Sequence, residues 1–248
     1  MILSVKMTEE RKLIMTEIRE EYNGHEIIIQ KPDRAACKKP WVWRAEFLGA
    51  FDYADRALLE QGWHVATYRI SDMYGCDEAV ELMKRFHDYV VEKYGLNPKP
   101  SIFGFSRGGL YSVNYAVKYP NDLSSVYLDA PVLDIRSWPG GHEGAKHEWE
   151  ECKAIYGLDD ESAKSFNQNP IDKADRLIES GLPLIIVAGG SDTVVPYEEN
   201  GARLVEKYRE HGIEIPHIIK PECEHHPHSL EDPKPIVDFV KKAFKTCK

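Results

Sequence analysis

The chain lacks the features that mark several large classes of protein. No run of apolar residues approaches the roughly 18 needed to cross a bilayer, so no membrane span is expected. Basic residues are scarce: 32 Lys and Arg stand against 41 Asp and Glu, a formal net charge of -9. That balance argues against nucleic acid as a partner, because non-specific binding needs a basic face. The five cysteines, Cys37, Cys76, Cys152, Cys223 and Cys247, are odd in number and show no C-x-x-C spacing. Neither a disulfide framework nor a zinc ribbon is expected from them. The opening "MILSVKMTEERKL" has no apolar core of the roughly 7 to 15 residues that a secretory signal carries, so a cytoplasmic protein is expected. Internal repeats and low-complexity linkers are also missing.

What remains is the composition of a soluble globular protein, 42% hydrophobic and 29% charged. Its 248 residues suit one large α/β domain better than two ordinary ones. Along the chain, short β-branched runs alternate with helical patterns, the mark of a mostly parallel sheet with helices on both faces. Asn23-Gly24 is a two-residue turn signal that makes "IMTEIREEYNGHEIIIQKP" a hairpin. "PWVWRAEF", "WHVATYRI", "SIFGFS", "SSVYLDAPV", "LPLIIVAGG" and "IEIPHIIKP" read as strands. Between them, "AFDYADRALLEQG", "DEAVELMKRFHDYVVEKYG", "RGGLYSVNYAVKYP", "YEENGARLVEKYREHG" and "PKPIVDFVKKAFK" read as helices. About residues 131–181 break this rhythm. That length far exceeds a usual connection of roughly 2 to 6 residues, so a lid or substrate wall inserted in the single domain is expected there.

The strand "SIFGFS" ends abruptly in Ser106, between Gly104 and Gly108, and a helical segment starts at once. A strained strand-to-helix turn needs neighbours without side chains, and it would push Ser106 Oγ out at the carboxyl edge of a sheet. It also places the Arg107 N–H at a helix N-terminus, where it can donate to a developing oxyanion. Two further strands end in acid and base candidates. Asp192 follows "LPLIIVA" in "GGSDTVVP", and His225, His226 and His228 follow "IEIPHIIK" in "PECEHHPHSL". The order Ser, Asp, His, each after its own strand, is that of an α/β hydrolase.

Through "GFSRGG", "GGSDTVVP" and "EHHPHSL", the sequence resembles the α/β-hydrolase superfamily over nearly its whole length. The resemblance implies a serine nucleophile at Ser106, an acid at Asp192 and a base at His225, with His226 and His228 as alternative bases. Asp129, in "YLDAPV", is the alternative acid, because some members carry it one strand earlier. The family's small residue before the histidine is missing here; position 224 is Glu. Arg107 would give one oxyanion donor. Many lipases and esterases have His-Gly-Gly at the second donor loop, whereas this chain has "WRAEF", which points to Ala45 or Glu46.

Two arginines invite a further reading. Arg44 and Arg107 could bind a substrate carboxylate; otherwise Arg44 would pair with Glu46 or Asp72, and Arg107 would form a salt bridge at the helix start. An arginine after the nucleophile is similar to the Gly-Cys-Ser-Arg motif of glucuronoyl esterases. Trp138, in the insertion, could form a platform for a sugar ring; Trp41 and Trp43 alternate along a strand and read as core. A metal site is not expected at the histidines, because Pro227 breaks any helical ligand spacing. The expectation is an esterase without cofactor or metal that acts on a small-molecule or sugar ester. The alternatives are a lipase, a dienelactone-type hydrolase, a prolyl-oligopeptidase-like peptidase or a non-catalytic binding protein on the same scaffold.

Overall fold

The computed structural model describes residues 15–246. The opening segment read for a signal peptide, up to residue 14, and Cys247 lie outside the described residues. The expected hairpin forms: β1 (Met15–Tyr22) and β2 (His25–Pro32) pair antiparallel. Asn23 and Gly24 take φ values of 49° and 79°, the two left-handed positions that this turn demands.

Six more strands extend the sheet: β3 (Trp41–Arg44), β4 (His64–Tyr68), β5 (Ser101–Phe105), β6 (Ser125–Asp129), β7 (Leu184–Gly189) and β8 (His217–Lys220). Their order is β1-β2-β4-β3-β5-β6-β7-β8; β2 pairs antiparallel with β4, and every later pair is parallel. Because side chains alternate along a strand, the sheet sorts its residues into two cores. Trp41, Trp43, Ile102, Val126 and Leu128 face one way; Val42, Phe103, Phe105 and Tyr127 face the other. The helices α2 (Asp77–Tyr94), α3 (Gly108–Lys118) and α7 (Gly201–Glu210) cover the first core. The second is covered by α1 (Tyr53–Glu60) and α8 (Lys234–Thr246), through side chains such as Leu58 and Ile236. Each such fully buried side chain contributes about 1.5–3 kcal/mol by leaving water.

Between β6 and β7 the chain forms α4 (Lys146–Tyr156), α5 (Asp160–Lys164) and α6 (Ala174–Glu179). The sequence pattern did not reveal α4 because it buries only Cys152 and Lys153, too narrow an apolar stripe to show a period. Asp134 fixes the start of this segment by accepting from Arg136 at 2.7 Å and Arg203 at 2.9 Å. The four cysteines among the described residues are free. No helix among those residues is long and apolar enough to cross a membrane.

Candidate active site

At the end of β5 the backbone turns through Ser106, whose φ of 48° lies in the left-handed region that costs a non-glycine residue roughly 1–2 kcal/mol. Hydrogen bonds hold it there. The Ser106 N–H donates to Asp129 O at 2.9 Å, and Ser106 O accepts from the Gly109 and Val132 N–H groups, each at 2.9 Å. A Cβ on Gly104 would stand 2.1 Å from Ser112 Oγ and 2.8 Å from Gly108 O, so no other residue fits. Gly108, expected to relieve the same crowding, does not: its nearest neighbour would be Glu46 Cβ at an ordinary 3.5 Å. The second glycine that the turn requires is Gly109, where a Cβ would meet Val132 O at 2.7 Å.

Ser106 Oγ lies 2.9 Å from His225 Nε2, and His225 Nδ1 lies 2.7 Å from Asp192 Oδ2. The other Asp192 oxygen accepts from the Val194 and Val195 N–H groups at 2.9 and 2.8 Å. Burial pushes the Asp192 carboxyl up, but the hydrogen bonds from His225 and these amides outweigh it and hold the group below the usual carboxylate range. Asp192 thus stays ionised and fixes a proton on Nδ1, leaving Nε2 to accept from the serine hydroxyl. The close approach of the two loops depends on Gly189 at the end of β7. A Cβ there would stand 2.3 Å from Glu224 O. Such a row can take a proton from the serine as its oxygen attacks a carbonyl.

The alternative residues lie close by but make other contacts. His226 is exposed and stacks on Phe51, with ring centroids 5.4 Å apart. His228 Nδ1 is bonded to Asp129 at 2.8 Å, and the same carboxylate accepts from Tyr127 OH at 2.5 Å and Ser229 N–H at 2.8 Å. Asp129 therefore serves His228 and makes no hydrogen bond to His225. Beyond the presence of its members, no sequence feature marks this second carboxylate–imidazole pair.

The oxyanion expectation is partly redrawn. Arg107 stands at the head of α3 with a helical φ of -53°, where the first N–H groups of a helix have no acceptor within it. Ala45 is not available, because its N–H donates to Phe103 O at 3.1 Å and so continues the β3–β5 ladder. Glu46 N–H remains: a Cβ built on Gly108 would be only 3.7 Å from that nitrogen, which places it beside the serine turn.

Both arginine side chains differ from the substrate-binding expectation. Arg44 is fully buried, paired with Asp55 at 3.3 Å rather than with Glu46 or Asp72, and donates to Phe47 O and Ala50 O at 2.8 and 2.9 Å. Its guanidinium is shut away from solvent and holds the loop from Phe47 to Ala50. Arg107 Nε and Nη1 donate to Glu46 at 2.6 Å and Asp72 at 2.9 Å. Its guanidinium is occupied by carboxylates of its own chain. Arg107→Met keeps the backbone N–H but leaves Glu46, only 5% exposed, without its counter-charge and with Ser71 Oγ, at 2.7 Å, as its remaining donor. Urea unfolding should show a loss of about 2–4 kcal/mol. Acetyl-ester kcat/KM should stay within about tenfold; a drop beyond about 100-fold would assign the guanidinium to the reaction itself.

Beside Ser106 lies a cavity of about 170 Å³ lined by Phe47, Ala50, Phe51, Phe105, Ser106 and the three histidines. Its phenyl walls carry no sequence motif, which is why pattern reading missed them. None of these residues comes from the 131–181 insertion, so the wall expected there is not part of this cavity. Trp138 instead packs near Tyr74, 6.4 Å between centroids, and the Arg107 guanidinium stands 5.5 Å from the same Tyr74 ring. Trp138 is a packing residue here, while Trp41 and Trp43 are buried core, as expected.

The prolyl oligopeptidase family model matches residues 60–247, about three quarters of the chain. The chain belongs to that family. Its fold is that of the α/β hydrolases, which solved structures share. The dipeptidyl peptidase 4 of Porphyromonas gingivalis superposes with a TM-score of 0.68 at 15% identity over 95% of this chain and 36% of its own. Est1E from Butyrivibrio proteoclasticus gives 0.67 at 15% identity over 93% and 99%. The acylaminoacyl peptidase of Pyrococcus horikoshii gives 0.69 at 11% identity over 96% and 43%. This prolyl oligopeptidase family member therefore spans well under half of either peptidase. No curated protein sequence matches it.

Proposed function

We propose that this family member is an esterase that removes a small acyl group, such as acetyl, from a hydroxyl-rich alcohol, with an acylated carbohydrate as the preferred class. Ser106 attacks the ester carbonyl while His225 takes its proton, and the N–H groups of Arg107 and Glu46 receive the negative oxygen. The imidazolium, steadied by Asp192, protonates the leaving alcohol. Water then gives a proton to His225 as its oxygen attacks the acyl carbon; the bond to Ser106 Oγ breaks, His225 returns the proton to Oγ, and the acid leaves.

The observation that carries this reading is the cavity at Ser106. Its 170 Å³ falls below the roughly 300–1,000 Å³ of sites for drug-sized ligands, and its phenyl walls favour a short apolar group. Arg107, next to Ser106 in the chain, ties together Glu46 and the exposed Asp72, a polar cluster that a sugar's hydroxyls could engage. A fluorophosphonate probe tests the chemistry: label is expected at Ser106, and a binding protein without catalysis takes none.

Chain length tests the pocket. Across p-nitrophenyl esters, kcat/KM should fall at least about tenfold from acetyl to hexanoyl, and Phe51→Ala should shrink that gap by removing one wall. A flat profile in the parent enzyme argues against this cavity as the acyl site. The peptidase reading is favoured by the family match and by the two peptidases of like fold. Faster turnover of aminoacyl or dipeptidyl amides than of acetylated sugars decides for it.

A further inference from the structure

The loop after β8 brings three imidazoles to one point, and the serine row uses only one of them. The ring centroids of His225, His226 and His228 are 4.8–4.9 Å apart in pairs, each pair steeply tilted. One ring nitrogen of each lies within 4.8 Å of those of the other two. Pro227 does preclude a helical ligand spacing, but the loop achieves convergence without a helix.

We propose that these three histidines form a binding site for a divalent transition-metal ion, Zn²⁺ in particular, and that the ion and Ser106 compete for His225 Nε2. Three features beyond proximity support this. His225 and His228 each carry a buried carboxylate on Nδ1, Asp192 at 2.7 Å and Asp129 at 2.8 Å. This is the outer-shell arrangement that fixes the tautomer of metal-bound histidines and raises their basicity, and it leaves Nε2 of both rings as the coordinating atom. Asp129 is itself anchored by Tyr127 and Ser229, so His228 is as firmly oriented as His225. The third ring, His226, is exposed and makes no hydrogen bond among the described residues, so its ring nitrogens are uncommitted.

Three nitrogens and one open position toward the cavity make a tetrahedral set that suits Zn²⁺, and imidazole disfavours Mg²⁺ and Ca²⁺. Zinc–nitrogen bonds near 2.0–2.1 Å require nitrogens about 3.3 Å apart, so the widest pair must close by up to about 1.5 Å. His226, exposed and held by no hydrogen bond among the described residues, is the ring free to move. Once bound, the ion occupies the lone pair that would accept the Ser106 proton, and hydrolysis stops reversibly.

Binding is to be measured calorimetrically by titrating ZnCl₂ into the full-length Ser106→Ala protein, which needs no activity and so tests the site apart from the esterase reading. One ion per chain is expected with micromolar affinity, at least as tight as in the parent protein. His226→Ala, an exposed change that should not disturb folding, is expected to weaken it at least tenfold, and MgCl₂ should give no heat of binding. In the parent protein Zn²⁺ should slow fluorophosphonate labelling over the same concentration range, with recovery after EDTA. No saturable binding in Ser106→Ala below about 100 µM, or equal affinity in His226→Ala, overturns the site. Tight binding without slower labelling overturns the competition.

Discussion

Ser106→Ala is expected to retain less than about a thousandth of the parent kcat/KM on p-nitrophenyl acetate while folding normally. The size follows from what is removed. The hydroxyl is the only part of the row able to form an ester with the acyl group, and neither the imidazole nor the oxyanion donors replace it. Folding should survive because alanine keeps the Cβ that already occupies the strained turn. The bonds that fix this turn, to Asp129, Gly109 and Val132, all use backbone atoms. The melting temperature should therefore move by no more than about 2 °C. His225→Ala should fall to within tenfold of the same residual rate, since residues acting as one unit are not additive. His226→Ala should retain much more. Retention of several per cent of activity by Ser106→Ala, with the protein folded, would remove this serine from the role of nucleophile.

The residues of that row were legible in the sequence because each obeys a local rule. Ser106 follows a β-branched strand and precedes a helix, Asp192 follows Gly189-Gly190, and His225 opens the loop after the last strand. Parallel topology then gathers such strand ends at one edge. What was not legible depends on contacts between distant segments. The glycine reading chose Gly108 by its place in the motif, but the crowding comes from Val132 and Pro131 and falls on Gly109. The ion-pair partners of the arginines were exchanged for a similar reason. Glu46 and Asp72 were both plausible for Arg44, yet they converge on Arg107, and Arg44 turns beneath the loop to an aspartate in α1. Nothing in "DYADRALLE" distinguishes Asp55 from a solvent-facing helix residue. Asp55 is only 3% exposed because α1 packs that side against the sheet.

Asp55→Ala should be the most damaging single change away from the row itself. It leaves the Arg44 guanidinium fully buried with only two carbonyls and the Phe105 ring, 3.8 Å away, as partners. Removing one member of such a pair costs about 3–5 kcal/mol, which for a chain of this size lowers the melting temperature on the order of 10 °C. A shift under about 2 °C means that the pair does not carry the stability assigned to it. The effect should also reach the cavity. Phe47 and Phe51 both hold positive φ, 55° and 48°, a conformation that persists only where surrounding contacts enforce it. Arg44 supplies that enforcement through Phe47 O and Ala50 O, so a loosened guanidinium should raise KM for the acetyl ester more than it lowers kcat. The double change Arg44→Met with Asp55→Leu separates the two roles. Replacing both charges by apolar side chains should recover most of the lost stability, since no buried charge is left alone. It cannot recover KM, because methionine has no donor for the two carbonyls. A double variant that regains both would show that the loop keeps its shape without the arginine.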